Sequence, residues 1–325
     1  MELEGLNCLV TGGGGNLGSY VVEKLLPAGA NITIMERRSH DHLKLENLKN
    51  VLNKISVAWG DIRSTRDCHN MAKGQDIILH IAASGPVPYS IDYPAEVWDN
   101  NVNGTFNLLE AAVKAGVKRF LYINSSESYG RAKHVPINEE HGFYPCSPYG
   151  ASKAAGELLG QSYYESYGLQ FISVRMFNMF GVRSVPYSVI NKFITLALDD
   201  KPITIAGSGE QKRDYVYTED AAEGVVKALV CDKLVGDSVN IGSGKSFSVL
   251  EIANIIKRLV GSESELKFYP GRPGEVPHLQ SDITKAKNIL GWTPKHTFDE
   301  GIKLSIEHIK KNRERYNVKP VSKSL

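Results

Sequence analysis

The sequence predicts an α/β protein: a doubly wound parallel sheet followed by a smaller C-terminal lobe. Three observations carry this expectation. Short apolar runs alternate with helical segments through the first half of the chain, as strands buried on both faces require. The first strand-to-helix junction is the glycine-rich run TGGGGNLG, Thr11 to Gly18. The second apolar run ends on an acid, Glu36.

The first element is the strand Leu6 to Val10, and the helix after the turn is Ser19 to Leu26. Between them, Gly12, Gly15 and Gly18 suit a tight turn, a close backbone approach to a pyrophosphate, and close packing of helix on strand. Asn16 and Leu17 lie where the helix opens and its unpaired N–H groups face an anion. Glu36 closes the strand Ile32 to Met35, 21 residues beyond Gly15. An acid there accepts ribose hydroxyls and disfavours a 2′-phosphate, which selects NAD; Arg37 and Arg38, next in sequence, are the residues that could greet such a phosphate instead.

Further strands follow at Ile55 to Ala58, Asp76 to Ile81, Arg119 to Ile123 and Phe171 to Val174, with helices at Trp98 to Ala115 and Tyr149 to Tyr167. The apolar faces of these two helices suit either the core or a second subunit, and a homodimer is expected. After Gly181 the pattern loosens. Helices at Val189 to Leu198 and Val249 to Leu259 are separated by Pro- and Gly-bearing loops, including Pro270 to Pro277. The division expected is a dinucleotide-binding domain over 1–176 and a mainly substrate-binding lobe over 177–325, with segments returning to the sheet. The end, Asn312 to Leu325, is polar and aperiodic.

With 325 residues and 42% hydrophobic content, the chain buries a large core. Its 38 basic and 36 acidic residues leave a net charge of +2 and no basic stripe, which argues against nucleic acid as a partner. Cys8, Cys68, Cys146 and Cys231 are scattered, as in a reducing compartment, and His40 and His42 flank Asp41 without a further ligand cluster, so no metal is expected. The glycine-rich turn begins at residue 12, leaving no room for a signal peptide, and no apolar run would cross a bilayer. The expectation is a cytoplasmic protein without a membrane partner.

Tyr149 and Lys153 stand one helical turn apart after Ser147-Pro148, and so share a face. A phenol of pKa about 10 is only roughly 0.1% ionised at neutral pH, a deficit of about 4 kcal/mol for a base. A neighbouring ammonium supplies part of that, letting Tyr149 take a hydroxyl proton while hydride leaves the same carbon. The strand before this helix ends in Asn124-Ser125-Ser126-Glu127. At that edge of the sheet, Ser125 is placed to hydrogen-bond the reacting oxygen.

Together these motifs resemble the extended short-chain dehydrogenase/reductases, the NAD-dependent epimerase/dehydratase type that acts on nucleotide sugars on a Rossmann sheet. The resemblance rests on TGGGGNLG, Gly60-Asp61-Ile62, His80-Ile81-Ala82-Ala83, Asn101 with Gly104-Thr105, Ser125 to Gly130, Tyr149 with Lys153, Phe177-Asn178, Arg213-Asp214-Tyr215 and Arg272-Pro273-Gly274-Glu275. It implies that Asp61 and Ile62 meet adenine, that Ala82 and Ala83 line the pyrophosphate and nicotinamide side, and that Asn101 supports the site. Arg37 and Phe177 are likewise assigned to the cofactor. Asn178, Arg213 and Arg272 are expected on the diphosphate of a nucleotide-sugar substrate, where two guanidiniums give forked, charge-assisted bonds. Tyr215 is expected on the base or ribose, and Ser126 beside Ser125 on the sugar.

Oxidation at C4 of the sugar opens several routes. An epimerase lets the 4-keto sugar turn and take hydride on its other face, for which Tyr149 and Ser125 suffice. A 4,6-dehydratase also removes the C5 proton and protonates the departing C6 hydroxyl, which calls for an extra acid/base. Glu127 is that candidate, as in dehydratases and decarboxylases of the family, whereas Ser126 stands where one dehydratase branch has Asp. The expected order is epimerase, then dehydratase, then decarboxylase. A dinucleotide-binding sensor or scaffold is the non-enzymatic alternative, and retention of both Tyr149 and Lys153 argues against it.

Overall fold

The computed structural model describes residues 1–38, 43–271 and 273–316, apart from the side chains of Leu43 and Lys44. His40, His42 and Arg272 therefore lie outside the described residues.

Seven strands form one parallel sheet: β1 (Asn7–Thr11), β2 (Asn31–Glu36), β3 (Ser56–Trp59), β4 (Ile77–His80), β5 (Arg119–Ser125), β6 (Gln170–Met176) and β7 (Asp237–Ile241). Their order is β3-β2-β1-β4-β5-β6-β7, so the winding reverses between β1 and β4. In such sheets the crevice beyond the carboxyl ends at the reversal is where ligands bind. Register brings Thr11 level with Met35 and His80, one residue before Gly12 and Ile81.

Alternation along β1 explains the layers. Cys8 and Val10 face one core with α1 (Asn16–Leu25), while Leu9 faces another with α2 (Thr65–Ala72), α3 (Gly104–Ala115) and α4 (Pro148–Tyr167). A third core, in the C-terminal half, joins α5 (Val189–Leu198), α7 (Val249–Val260) and α8 (Phe298–Lys311) through Phe193, Ile194, Ile252, Ile256, Ile302 and Ile306. Between α5 and α7, α6 (Thr218–Val230) crosses back to pack Ala221, Ala222 and Val225 into the α1 side of the sheet. Short strands at 178–180, 212–217, 246–248 and 278–279 make a small second sheet, and 203–206 pairs with 266–269.

Three details differ from the sequence reading. The helix after the glycine-rich turn starts at Asn16, not Ser19. The stretch Trp98 to Ala115 is not one α-helix: Pro94–Trp98 leads into a π turn over Asp99–Asn103, and the regular α3 begins at Gly104. The expected return of a later segment to the sheet takes the form of a seventh strand, β7, whose position the sequence reading did not give. No helix among the described residues is long and apolar enough to cross a membrane.

Candidate active site

The crevice at the β1/β4 reversal is lined by Gly12, Gly15, Asn16, Leu17, Gly18, Glu36, Arg37, Ile62, Ala82 and Ala83, ten of the residues expected on a dinucleotide. Two glycines are fixed by geometry. Gly12 has φ +71°, and a Cβ on Gly18 would stand 2.2 Å from the Gly12 carbonyl oxygen. A Cβ on Gly12 would also press on the Ala82 backbone at 3.0 Å, so glycine at both positions lets the turn fold this tightly between strand and helix, and the residues present fit a dinucleotide. Glu36 is 4% exposed and its Oε1 accepts the Gly14 N–H at 2.8 Å, holding the turn to the end of β2. Asn16 is partly committed elsewhere, its Nδ2 donating to Ser184 and Thr218 hydroxyls at 3.0 and 3.1 Å. Asp61 chelates Arg63, whose guanidinium lies at 2.6 Å and lowers the carboxyl pKa, while its neighbours Gly60 and Ile62 line the crevice.

A buried chain of hydrogen bonds crosses the floor of the crevice. Thr105 Oγ1 donates to the Asn101 carbonyl at 2.6 Å and so receives His80 Nε2–H at 3.0 Å. His80 Nδ1 is then the acceptor for Thr11 Oγ1–H at 2.8 Å, and Thr11 in turn accepts the Ala82 N–H at 3.2 Å. That sequence of donors fixes one imidazole tautomer. Complete burial depresses His80 to about 3, with the Lys153 charge adding to the effect, so the ring is neutral. Asn101 sits in the π turn, donates to Ser84 O and Ser152 Oγ at 2.9 Å each, and accepts Ser84 N–H at 2.7 Å. It thereby clamps the loop after β4 to α4.

Helix α4 begins with Ser147 as its cap, accepting the Gly150 N–H at 3.1 Å, and with Pro148 at its first position. Glycine lets this helix approach the strand ends: a Cβ on Gly150 would stand 2.4 Å from Glu127 O, and one on Gly156 would stand 2.3 Å from the Tyr122 hydroxyl. Tyr149 is thus brought beside Ser125, whose hydrogen bond eases a phenol pKa that burial and Glu127 raise. Lys153 is 3% exposed, with Nζ 4.2 Å from the centroid of Tyr122. Burial lowers it to about 7, against the charge of Glu157 one turn on. In the protein alone, then, burial raises the phenol and lowers the ammonium, rather than the lysine lowering the tyrosine.

Glu127 faces the same space. Arg213 Nε stands 3.7 Å from Glu127 Oε1, and both side chains are nearly buried. Burial raises the Glu127 carboxyl, Arg213 opposes this, and Glu275 adds to it. Arg213 is anchored by donating to Val276 O at 2.6 Å. Beside it, the buried Asp214 carboxylate accepts Ser243 N–H and Oγ–H at 2.7 and 2.6 Å and Ser281 N–H at 3.0 Å, tying three chain segments together behind the arginine. Asn178 stands opposite Tyr215 in the second sheet. Tyr215 packs edge-on to Phe180 in the C-terminal core, and Phe177 is buried with Tyr129, Ile137, Val276 and Leu279. Ser126 is 1% exposed.

The family model described as GDP-mannose 4,6 dehydratase matches residues 9–305. The chain belongs to the NAD-dependent nucleotide-sugar epimerase/dehydratase family. It is 35% identical to a putative UDP-glucose 4-epimerase of Methanocaldococcus jannaschii over 310 residues, covering 94% of this chain and 98% of that protein. It is 34% identical to the dTDP-D-glucose 4,6-dehydratase of Mus musculus, covering 98% and 92%. Among solved structures, the UDP-glucuronic acid 4-epimerase of Bacillus cereus, in complex with UDP-glucuronic acid and NAD, superposes with a TM-score of 0.88 at 29% identity, covering 94% and 100%.

In this epimerase/dehydratase chain the structure also gives positions to residues that the sequence reading passed over. Glu157 accepts Asn124 Nδ2–H at 2.5 Å, Ser173 Oγ–H at 2.5 Å, and Arg175 Nε–H and Nη2–H at 3.0 and 2.6 Å. Asn124 Oδ1 then accepts the Ser125 N–H at 2.7 Å, so the carboxylate under Lys153 also sets the strand end that carries Ser125. The signal was present: Tyr149, Lys153 and Glu157 follow one another at spacings of four along α4.

Proposed function

We propose that the chain is an NAD-dependent nucleotide-diphospho-sugar 4-epimerase working through a transient 4-keto sugar. The observation that carries this reading is the juxtaposition of the Tyr149 phenol with Ser125 beside a position, Ser126, that holds a buried hydroxyl rather than a second acid. Epimerisation needs one proton acceptor that later gives the proton back. Dehydration needs two further proton transfers, at C5 and at the C6 hydroxyl.

Tyr149 accepts the C4 hydroxyl proton, Ser125 hydrogen-bonds the reacting oxygen, and Lys153, in its ammonium form, stabilises the phenolate. NAD, when bound, supplies the hydride acceptor, and Gly12, Gly15, Asn16, Leu17, Gly18, Glu36, Ile62, Ala82 and Ala83 would hold it, with Arg37 at the rim. Asn178, Arg213 and Tyr215 would hold the nucleotide diphosphate, making 177–325 mainly the substrate lobe. NAD and a UDP sugar in the Bacillus cereus relative support this assignment. Trp98, Phe106, Leu158 and Tyr167 are exposed on or beside α3 and α4, which supports a homodimer through that face.

A second reading, 4,6-dehydratase, is favoured by Glu127, an almost buried carboxyl with a raised pKa in the same space. Incubation with NAD and UDP, dTDP, GDP and CDP sugars, followed by mass spectrometry and NMR, separates the two. Unchanged mass with a new sugar spectrum is expected; loss of one water identifies the dehydratase. Tyr149→Phe is expected to lower turnover by about 10²-fold or more while cofactor binding by titration is kept. Undiminished turnover would remove the phenol from the chemistry.

A further inference from the structure

The proposed reaction leaves Tyr122 unused, although this fully buried side chain on β5 meets Lys153 at two points. Its hydroxyl donates to the Lys153 carbonyl at 3.1 Å, and its ring carries Lys153 Nζ over its face, 4.2 Å from the centroid. We propose that Tyr122 is a positioning residue for the reaction, its aromatic face holding the Lys153 ammonium where it serves Tyr149. The inference rests on the reading of Tyr149 as proton acceptor and Lys153 as its stabilising cation.

The ring is fixed before any cation reaches it. Strand register sets Tyr122 level with His80 on one side and Ser173 on the other. Its ring stacks on Phe171 at 6.3 Å between centroids and lies tilted by 46° against His80 at 5.7 Å. Gly156 admits the hydroxyl, since a Cβ there would stand 2.3 Å from it. A side chain held on so many sides gives up little further freedom in holding a cation, so the seat is preformed.

The chemistry of the ring suits the place. Lys153 is 3% exposed, and an ammonium drawn out of water needs a compensating partner. The titratable groups around it are His80 from β4, Tyr122 from β5, and Tyr149 and Glu157 from α4. His80 is neutral. Glu157 contributes its charge, but its oxygens are taken by Asn124, Ser173 and Arg175. Tyr149 is the group that the cation has to serve. That leaves the π face of Tyr122, whose negative potential attracts a cation. A carboxylate in this position would cancel the charge that the phenolate needs, whereas a ring holds the cation and leaves it charged. Burial keeps the Tyr122 phenol protonated, well above its ordinary value, so it does not compete with Tyr149 as a base.

The test uses the full chain as purified, with three replacements at this position: Tyr122→Phe, Tyr122→Leu, and trifluorophenylalanine, which keeps the ring and weakens the negative potential of its face. The Lys153 titration is followed by NMR of isotope-labelled lysine, assigned by its loss in Lys153→Met. Turnover is measured against pH with the nucleotide sugar converted in the panel above. Tyr122→Phe is expected to keep the midpoint within about 0.3 pH unit, while trifluorophenylalanine and Tyr122→Leu lower it by about one unit. The alkaline fall of kcat is expected to move down with the midpoint, with KM changed less than about twofold. Equal midpoints with phenylalanine and trifluorophenylalanine, a fall in Tyr122→Phe as large as in Tyr122→Leu, or a lowered midpoint that leaves the kcat profile in place overturns the proposal. The NMR titration needs no substrate. A panel without turnover therefore refutes the epimerase reading and leaves the midpoints to decide the cation seat, whereas turnover with unmoved midpoints refutes the seat alone.

Discussion

Replacing Glu157 by glutamine separates the buried framework from the chemistry above it. The carboxylate receives four donors, from Asn124, Ser173 and two nitrogens of Arg175, and the Arg175 side chain is only 10% exposed. Glutamine keeps the shape but removes the charge and turns an NH2 group toward groups that themselves donate. Breaking a buried pair by removing one partner costs about 3 to 5 kcal/mol, because the other charge stays behind unmatched. Against a total stability of roughly 5 to 15 kcal/mol, the loss is large enough to read as a lower urea midpoint at unchanged slope. The pair Glu157→Leu with Arg175→Met removes both charges and is expected to recover most of it. A loss below about 1 kcal/mol, or a double variant no more stable than the single one, would refute the reasoning. A kinetic effect comes with it. The Glu157 charge props up a lysine already lowered to about 7, so its removal lowers Lys153 further and moves the alkaline fall of kcat/KM to lower pH.

The remaining predictions concern single titrating groups. In Lys153→Met, activity is expected to fall most below pH 7, where the ammonium is present, and the deficit is expected to narrow above it, as kcat/KM against pH will show; a deficit equal at every pH would assign the lysine a packing role. His80 stays neutral in the fold to about pH 3, whereas its unfolded value is 6.5, so the unfolded chain takes up a proton that the folded chain refuses. Its contribution is full above the unfolded value and is lost as pH falls toward the folded one, amounting to roughly 5 kcal/mol, and His80→Gln is expected to flatten that acid decline in urea midpoints.

How much of this was legible depends on where each residue spends its polarity. Strands β1, β2, β4, β5 and β6 are buried on both faces, and their apolar runs announce them. The glycine-rich turn is equally plain, because the backbone at Gly12 and the contact at Gly18 admit no side chain without strain. By contrast, β7 reads Asp-Ser-Val-Asn-Ile and pairs only with β6. Its Asn240 is buried because Tyr129, Ile137 and Glu139, more than a hundred residues earlier, supply its partners. No local pattern reveals such a match. Glu157 continues the spacing of Tyr149 and Lys153, yet what it does there was not legible: a glutamate in a helix reads as solvent-facing until Arg175 is seen across the sheet edge. Tyr149 and Lys153 were legible as a pair, but the direction of their pKa shifts was not, since burial is the largest influence on both.

That same competition bears on which reaction the site performs. Glu127 lies between an opposing influence, the Arg213 guanidinium, and two that hold its proton on, burial and the Glu275 carboxyl. An epimerase asks of this carboxyl only that it hydrogen-bond the sugar, which either protonation state can do. A dehydratase needs it to lose that proton, take another from C5, and do so while Arg213 holds it in place. Glutamine imitates the protonated form, so Glu127→Gln is expected to leave interconversion at C4 within about tenfold of normal while abolishing any loss of water. If C4 interconversion falls as far as dehydration, and KM for the nucleotide sugar rises with it, the carboxyl acts through Arg213, positioning the guanidinium rather than moving protons. If dehydration alone is the native activity and glutamine ends it, the buried acid is the group that divides this chain from a simple epimerase.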